Sequence, residues 1–274
     1  MSELVGGKLL LVGCGKMGGA LLQGWLAEGL AAADVVVVEP AVDPARSGQV
    51  AGVAMLKTPA EIPASFQPAV VVFAVKPQSM AEVVPQYARF REAGALFLSI
   101  AAGTTISFFE AHLGAAAAVV RVMPNTPAAI RRGMSVLTAN ANVSEDQRAL
   151  AGRLMAAAGA CAWIDDEGLM DAVTAVSGSG PAYVFLLIEC LAEAGVAVGL
   201  PADLAAQLAL ETVAGAGALA RDADEAPAQL RVNVTSPGGT TAAALEALMA
   251  EDGLPRLMRR AVEAATRRGK ELGG

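Results

Sequence analysis

Apolar residues fall in short blocks through the first 165 positions and in longer, helix-spaced blocks after them. The runs at 9–12, 35–38, 69–75, 95–100 and 118–122 have the composition of strands covered on both faces. Amphipathic segments at 79–90 and 105–113 lie between them, so the pattern predicts βαβ units and a parallel sheet. Residues 134–138 read as one more strand and 161–164 as a strand closing the sheet. Ser144 to Gln147 has the S-x-x-Q form of a capping box and opens a helix to about residue 158. From Glu167 onward the period is helical throughout: 167–176, 181–198, 202–221, 240–250 and 254–271. Pro181 and Pro201 sit at first helical positions, and Gly199 and Gly253 where helices should stop. The fold class is therefore α/β: a doubly wound parallel sheet over residues 1–164, then an all-helical domain over 165–274. The 181–198 helix is apolar on nearly every face, which implies burial all round, here against a second subunit.

The first strand runs into Gly13, Gly15 and Gly18 in G-x-G-x-x-G spacing, and a helix-compatible segment follows. That order is the dinucleotide fingerprint: a tight turn, close backbone approach to a pyrophosphate, and close helix–strand packing. The free N–H groups of the helix start face the phosphates. Glu39 ends the second strand, where an acid bonds the adenosine ribose and favours NAD; Arg46, a few residues on, suits the 2′-phosphate of NADP. The choice of nicotinamide coenzyme stays open. In such sheets ligands sit beyond the carboxyl ends of the strands. The glycine loop, Lys76-Pro77, Ala102-Gly103 and Asn125-Thr126 all fall there, so four segments converge on one crevice.

Composition narrows the class. Hydrophobic residues make up 54% of the 274 and charged residues 17%, more apolar than an ordinary soluble domain. Every window of about 18 residues carries charges or breakers, so no transmembrane span is expected, and the excess apolar surface fits a soluble oligomer. The N-terminus lacks a secretory pattern, and a net charge of −7 argues against nucleic acid. Cys14, Cys161 and Cys190 form neither a disulfide framework nor a metal motif, which fits a cytoplasmic protein. His112, the single histidine, reads as a helix-end surface residue.

Two hydroxyl- and glycine-rich segments interrupt the helical half, 177–183 (SGSGPAY) and 234–241 (VTSPGGTT). Each is expected at a helix N-terminus, where free N–H groups can hold a carboxylate.

Together GCGKMGGA, AVKP, SIAAG, MPNTP, SGSGPAY and VTSPGGTT, in this order and spacing, resemble the pyrroline-5-carboxylate reductase family over residues 8–272. The resemblance implies a Rossmann-type domain followed by an all-helical dimerisation and substrate-binding domain, with dimers that in some members assemble into decamers. It implies reduction of L-1-pyrroline-5-carboxylate to L-proline by NADPH or NADH, with no nucleic-acid or membrane partner. Carried over by position, Gly13, Cys14, Gly15, Lys16, Met17 and Gly18 hold the pyrophosphate, and Glu39 lies at the ribose. Ala74, Val75, Lys76, Pro77, Ala101, Ala102 and Gly103 line the nicotinamide and its ribose, with Asn125 at the nicotinamide end. Ser177, Ser179, Ser236, Pro237, Gly238, Gly239, Thr240 and Thr241 take the substrate. The hydroxyl of Thr241 bonds the ring nitrogen, Lys76 supplies positive potential, and these two are the catalytic candidates. Asp224 or Glu225 lies in a loop that in the family approaches the partner's substrate; here it reads DEAP where members often show EHP. Glu39 likewise departs from the small hydroxyl residue of NADPH-preferring members.

Hydride addition to a C=N carbon is chiefly a matter of placement and needs no histidine acid if solvent protonates the nitrogen. A β-hydroxyacid-type dehydrogenase would carry a catalytic lysine in residues 177–193, which hold none and place a proline at the helix start. A non-catalytic NAD(P)-binding regulator would need the glycine loop but not both hydroxyl–glycine segments.

Overall fold

The structure, a computed structural model, describes residues 4–41 and 52–273, so Arg46 lies outside the described residues. Contacts divide the chain into two units: Met1–Gly178 with Thr266–Gly274, and Ser179–Ala265.

The first unit is built on eight strands: β1 (Lys8–Val12), β2 (Val35–Val38), β3 (Ala54–Leu56), β4 (Pro68–Phe73), β5 (Leu96–Ser99), β6 (Ala118–Met123), β7 (Gly133–Ala139) and β8 (Gly159–Trp163). Their order is β3-β2-β1-β4-β5-β6-β7-β8. The first six reproduce the doubly wound order, which reverses between β1 and β4. All pairings are parallel except β6–β7. That antiparallel pair departs from the all-parallel expectation: only a short 3-10 turn, Thr126–Ile130, separates the two strands, and a parallel return needs a longer crossover. The three-residue β3 has no apolar run to announce it.

Alternation along the strands supplies two cores. Leu9, Leu11, Val35, Val37, Val70 and Val72 face α1 (Lys16–Ala27) and the later helix Glu145–Ala156. Leu10, Val12, Val36, Val71 and Phe73 face the other layer, with Tyr87, Phe90 and Phe109. That layer begins with α2 (Met80–Val83), which passes at once into a 3-10 stretch, Val84–Phe90. The expected continuous helix over 79–90 is broken because Pro85 has no N–H to donate and its ring crowds the preceding turn. Next comes α3 (Ile106–Leu113), whose Thr105 hydroxyl accepts the Phe108 N–H at 3.3 Å. His112 lies in its last turn, its ring tilted 30° against that of Phe108 with centroids 4.1 Å apart. The Glu145–Ala156 helix, α4, starts on the expected box: Gln147 N–H donates to Ser144 Oγ at 3.3 Å and Ser144 N–H to Gln147 Oε1 at 3.1 Å. Trp25 Nε1–H donates to the Leu154 carbonyl at 2.8 Å and ties α1 to α4. After β8 come a 3-10 turn (Glu167–Leu169), α5 (Met170–Val173) and a π-helical turn (Thr174–Gly178).

The second unit is helical: α6 (Gly180–Ala197), α7 (Ala202–Asp222), α8 (Pro227–Asn233), α9 (Thr240–Leu248) and most of α10 (Leu254–Gly273). Pro201 stands at the N-cap of α7, one place before its expected first turn, and α8 is an addition to the expected helices. Small residues let α6 and α7 approach closely; a Cβ on Gly195 would sit 3.1 Å from that of Ala205. Within this chain no residue of α6 is buried, and Phe185 and Leu186 are 58% and 57% exposed. The expected all-round burial of this helix is therefore not met inside one chain. The run Glu167–Ala197 is long and apolar enough, by length and composition alone, to cross a membrane.

Candidate active site

The turn after β1 lies at the point where the strand order reverses. Gly13 has φ +90°, and a Cβ there would stand 2.8 Å from Val75 Cγ1 and 2.9 Å from the Ala74 backbone. Its N–H donates to Val38 at 2.9 Å, and Ala74 N–H donates to Val12 at 2.7 Å, so the end of β1 is fastened on both sides. At Gly18 a Cβ would lie 2.5 Å from the Gly13 carbonyl oxygen, which leaves no room for a side chain where α1 meets the turn. Gly15, the N-cap, faces open space and caps nothing with a side chain. The first intrahelical N–H bond is made by Gly19, to Gly15 at 2.8 Å, so Lys16, Met17 and Gly18 present N–H groups outward. An open notch lined by helix-start N–H groups fits a pyrophosphate.

Glu39 follows β2 and leans back over this turn. Its Oε2 accepts the Cys14 N–H at 2.7 Å and its Oε1 the Ala41 N–H at 3.0 Å. The expected ribose acid is thus also a brace of the glycine loop; a carboxylate keeps lone pairs for a further donor. Burial, and then the Glu39 charge, push the Cys14 thiol above its ordinary range.

Along the same edge, Lys76 is exposed and N-caps a 3-10 turn that begins at Pro77. Ala101 is buried and its N–H donates to Ser99 Oγ at 3.3 Å; Gly103 has φ +74°. Asn125 closes the end of β6: its Oδ1 accepts the Met134 N–H at 2.8 Å, and its Nδ2 donates to the backbone and hydroxyl oxygens of Ser177, each at 3.3 Å. An expected coenzyme residue and an expected substrate residue are therefore joined directly. A cleft of about 700 Å³ opens beside these loops, lined by Pro77, Ala102 to Thr105, Phe108, Asp171 and Thr174 among others.

This unit also holds a partly buried ion pair with almost no signature in the sequence. Arg121, 6% exposed in β6, donates through Nη1 to Glu167 Oε1 at 2.8 Å, and the same oxygen accepts the Ile106 N–H at 2.9 Å. A lone charge within AVVRVM was its only signal; the partner lies 46 positions away.

The segment around Ser177 differs from the expected helix start. Thr174–Gly178 is already π-helical, and Ser179 has helical angles (φ −85°, ψ −21°) with no side-chain cap bond. Single-turn π segments recur at functional sites because they re-aim side chains; here Ser177 is aimed at Asn125.

In the second unit, Ser236 to Gly239 form a turn with Gly238 at φ +70°, closed by Gly239 N–H to Ser236 carbonyl at 3.0 Å. Gly239 N-caps α9 without a side-chain bond, and Ala243 makes the first N–H bond, to Gly239 at 3.2 Å. The N–H groups of Thr240, Thr241 and Ala242 are left outside the helix ladder, as a carboxylate site requires. Ser236, Pro237 and Gly238 are exposed and Thr241 half-buried. In the acidic loop, Glu225 accepts from Asn233 at 3.1 Å. Among the described residues no group of three His, Cys, Asp or Glu side chains is placed to hold a metal ion.

Comparison with known proteins agrees with this layout. The family profile described as pyrroline-5-carboxylate reductase dimerisation matches residues 167–272. The profile described as NADP oxidoreductase, coenzyme F420-dependent, matches residues 8–103. A pyrroline-5-carboxylate reductase of Pseudomonas aeruginosa is 42% identical over 268 residues, spanning 97% of this chain and 96% of that protein. A solved pyrroline-5-carboxylate reductase of Coxiella burnetii superimposes with a TM-score of 0.91 at 35% identity, over 98% of this chain and 99% of that one. A Plasmodium falciparum pyrroline carboxylate reductase, solved with NADP bound, gives 0.84 at 30% identity over the whole of both chains.

Proposed function

The chain belongs to the pyrroline-5-carboxylate reductase family, and from that premise we propose how its own residues carry the reaction. It is an NAD(P)H-dependent oxidoreductase of proline biosynthesis that reduces L-1-pyrroline-5-carboxylate to L-proline. When bound, the coenzyme supplies the hydride. The chain's part is to hold two reactants in register and leave the proton to solvent.

Gly13, Cys14, Gly15, Lys16, Met17 and Gly18 bind the pyrophosphate through the outward N–H groups of the loop and α1. Glu39 meets the adenosine ribose while bracing the loop. Ala74, Val75, Lys76, Pro77, Ala101, Ala102, Gly103 and Asn125 line the nicotinamide end, and the exposed Lys76 ammonium raises the local potential for anionic ligands. Ser236, Pro237, Gly238, Gly239, Thr240 and Thr241 clasp the substrate carboxylate by backbone N–H groups, and the Thr241 hydroxyl orients the ring nitrogen. Ser177 and Ser179 contribute to the substrate end, Ser177 in the orientation that Asn125 gives it. In this reading residues 1–164 bind coenzyme and 165–274 dimerise and bind substrate. Residues 167–272 match the family's dimerisation profile, so the chain self-associates; we take the unit to be a cytoplasmic homodimer.

The observation that carries the reading is the glycine turn: a positive-φ Gly13, a Gly18 without room for a Cβ, and free helix-start N–H groups at the reversal of the strand order. The test is steady-state kinetics on the wild type and Thr241→Ala. NAD(P)H absorbance falls when the imine is added to the wild type. In the variant coenzyme binding is kept and turnover drops about ten- to a hundredfold, as misplacement of a reacting group does. Wild-type rates in the variant would remove Thr241 from the mechanism.

A further inference from the structure

We propose that Ser99, Arg121 and Glu167 form a polar brace that positions the Ala101 to Thr105 loop, and that this brace sets affinity for the coenzyme. The inference rests on the coenzyme reading of Ala101 to Gly103 given above. Ser99, Thr104, Arg121, Ser135 and Thr138 are the buried polar or charged residues among those described. Three of them stand side by side across the sheet: Ser99 is in register with Arg121, and Arg121 with Thr138. A guanidinium inside an apolar sheet is costly unless paired, and an aliphatic side chain would pack there without that cost.

What the arrangement secures is the loop. At its start, the Ala101 N–H is held by the Ser99 hydroxyl at 3.3 Å. At its end, the Ile106 N–H, first in α3, is held by Glu167 Oε1 at 2.9 Å, and Arg121 fixes that carboxylate from below at 2.8 Å. A carboxylate at a helix N-terminus also agrees with the helix dipole. Between the two pins lie Ala102, Gly103, Thr104 and Thr105, which form one wall of the cleft; Asp171 and Thr174, which follow Glu167 in the chain, line it as well. Ser99, Arg121 and Glu167 are positioning residues that act through the loop.

The test uses the full chain and two readouts: the Kd for NADPH by coenzyme fluorescence without imine, and the KM for the imine at saturating NADPH. Glu167→Ala is expected to weaken NADPH about tenfold, the worth of a charge-assisted bond, with the imine KM changed by no more than about twofold. Glu167→Gln keeps an acceptor for Ile106 and Arg121 and is expected to restore binding to within about threefold of wild type. A folded Glu167→Ala chain that binds NADPH like wild type overturns the proposal, as does a Glu167→Gln chain equally impaired. Should Glu167→Ala fail to fold, Ser99→Ala decides: a Kd raised about threefold supports the brace, and an unchanged Kd overturns it. A wild type that binds no NADPH would sink the coenzyme reading itself, whereas failure of the variants alone would not.

Discussion

Glu39 shows how folding can give a side chain a role that a sequence pattern does not read. Its position after β2 is where a ribose acid is expected. In the folded chain both its oxygens already accept backbone N–H groups, at 2.7 Å from Cys14 and 3.0 Å from Ala41. Removing the carboxylate has two expected effects. Binding of both coenzymes loosens with the loop, and the penalty on a 2′-phosphate disappears, so Glu39→Ala is expected to shift kcat/KM toward NADPH relative to NADH. Paired kinetics with the two coenzymes check this; no relative gain for NADPH means that Glu39 does not read the ribose. Gly13 and Gly18 were legible because the fingerprint encodes a steric demand within six residues. Arg121 was not, because its partner is remote in sequence and only folding brings them together.

At the scale of elements, local chemistry foretold local structure well. The Ser144–Gln147 box forms both of its bonds. Failures came where a single residue or a neighbouring strand overrides the period. Pro85 breaks a helical run into 3-10 turns, β3 is too short to show alternation, and the reversal of β7 is imposed by its short link to β6. The α1–α4 contact supplies a stability prediction. Trp25 is fully buried and bonded to the Leu154 carbonyl. Its replacement by Ala leaves both a cavity and an unpaired acceptor. The expected loss is about 3–5 kcal/mol, read by denaturant unfolding. A change under about 1 kcal/mol would show that the contact contributes little.

For the whole molecule, composition and burial tell one story. A chain that is 54% hydrophobic leaves Phe185, Leu186, Leu187 and Leu191 of α6 exposed. That surface lies within the residues matched by the family's dimerisation profile, which accounts for an apolar run that by length and composition could suit a membrane. Leu187→Glu places a charge on this face and is expected to shift the sedimenting species from dimer toward monomer, with turnover falling alongside. An unchanged sedimentation coefficient would place the interface elsewhere. The sequence made the need for a partner visible because no helix apolar on all sides is stable in water; it could not show that one chain leaves no residue of α6 fully buried.

Isotope transfer shows whether this chain passes a hydride from a nicotinamide to the imine carbon of pyrroline-5-carboxylate. The protein is incubated with pyrroline-5-carboxylate and NADPH deuterated at either face of C4, and the product is examined by mass spectrometry. L-proline carrying one deuterium at C5 is expected from one of the two coenzymes and none from the other. Coenzyme oxidation that leaves the ring unlabelled in both cases, or no proline at all, would contradict it.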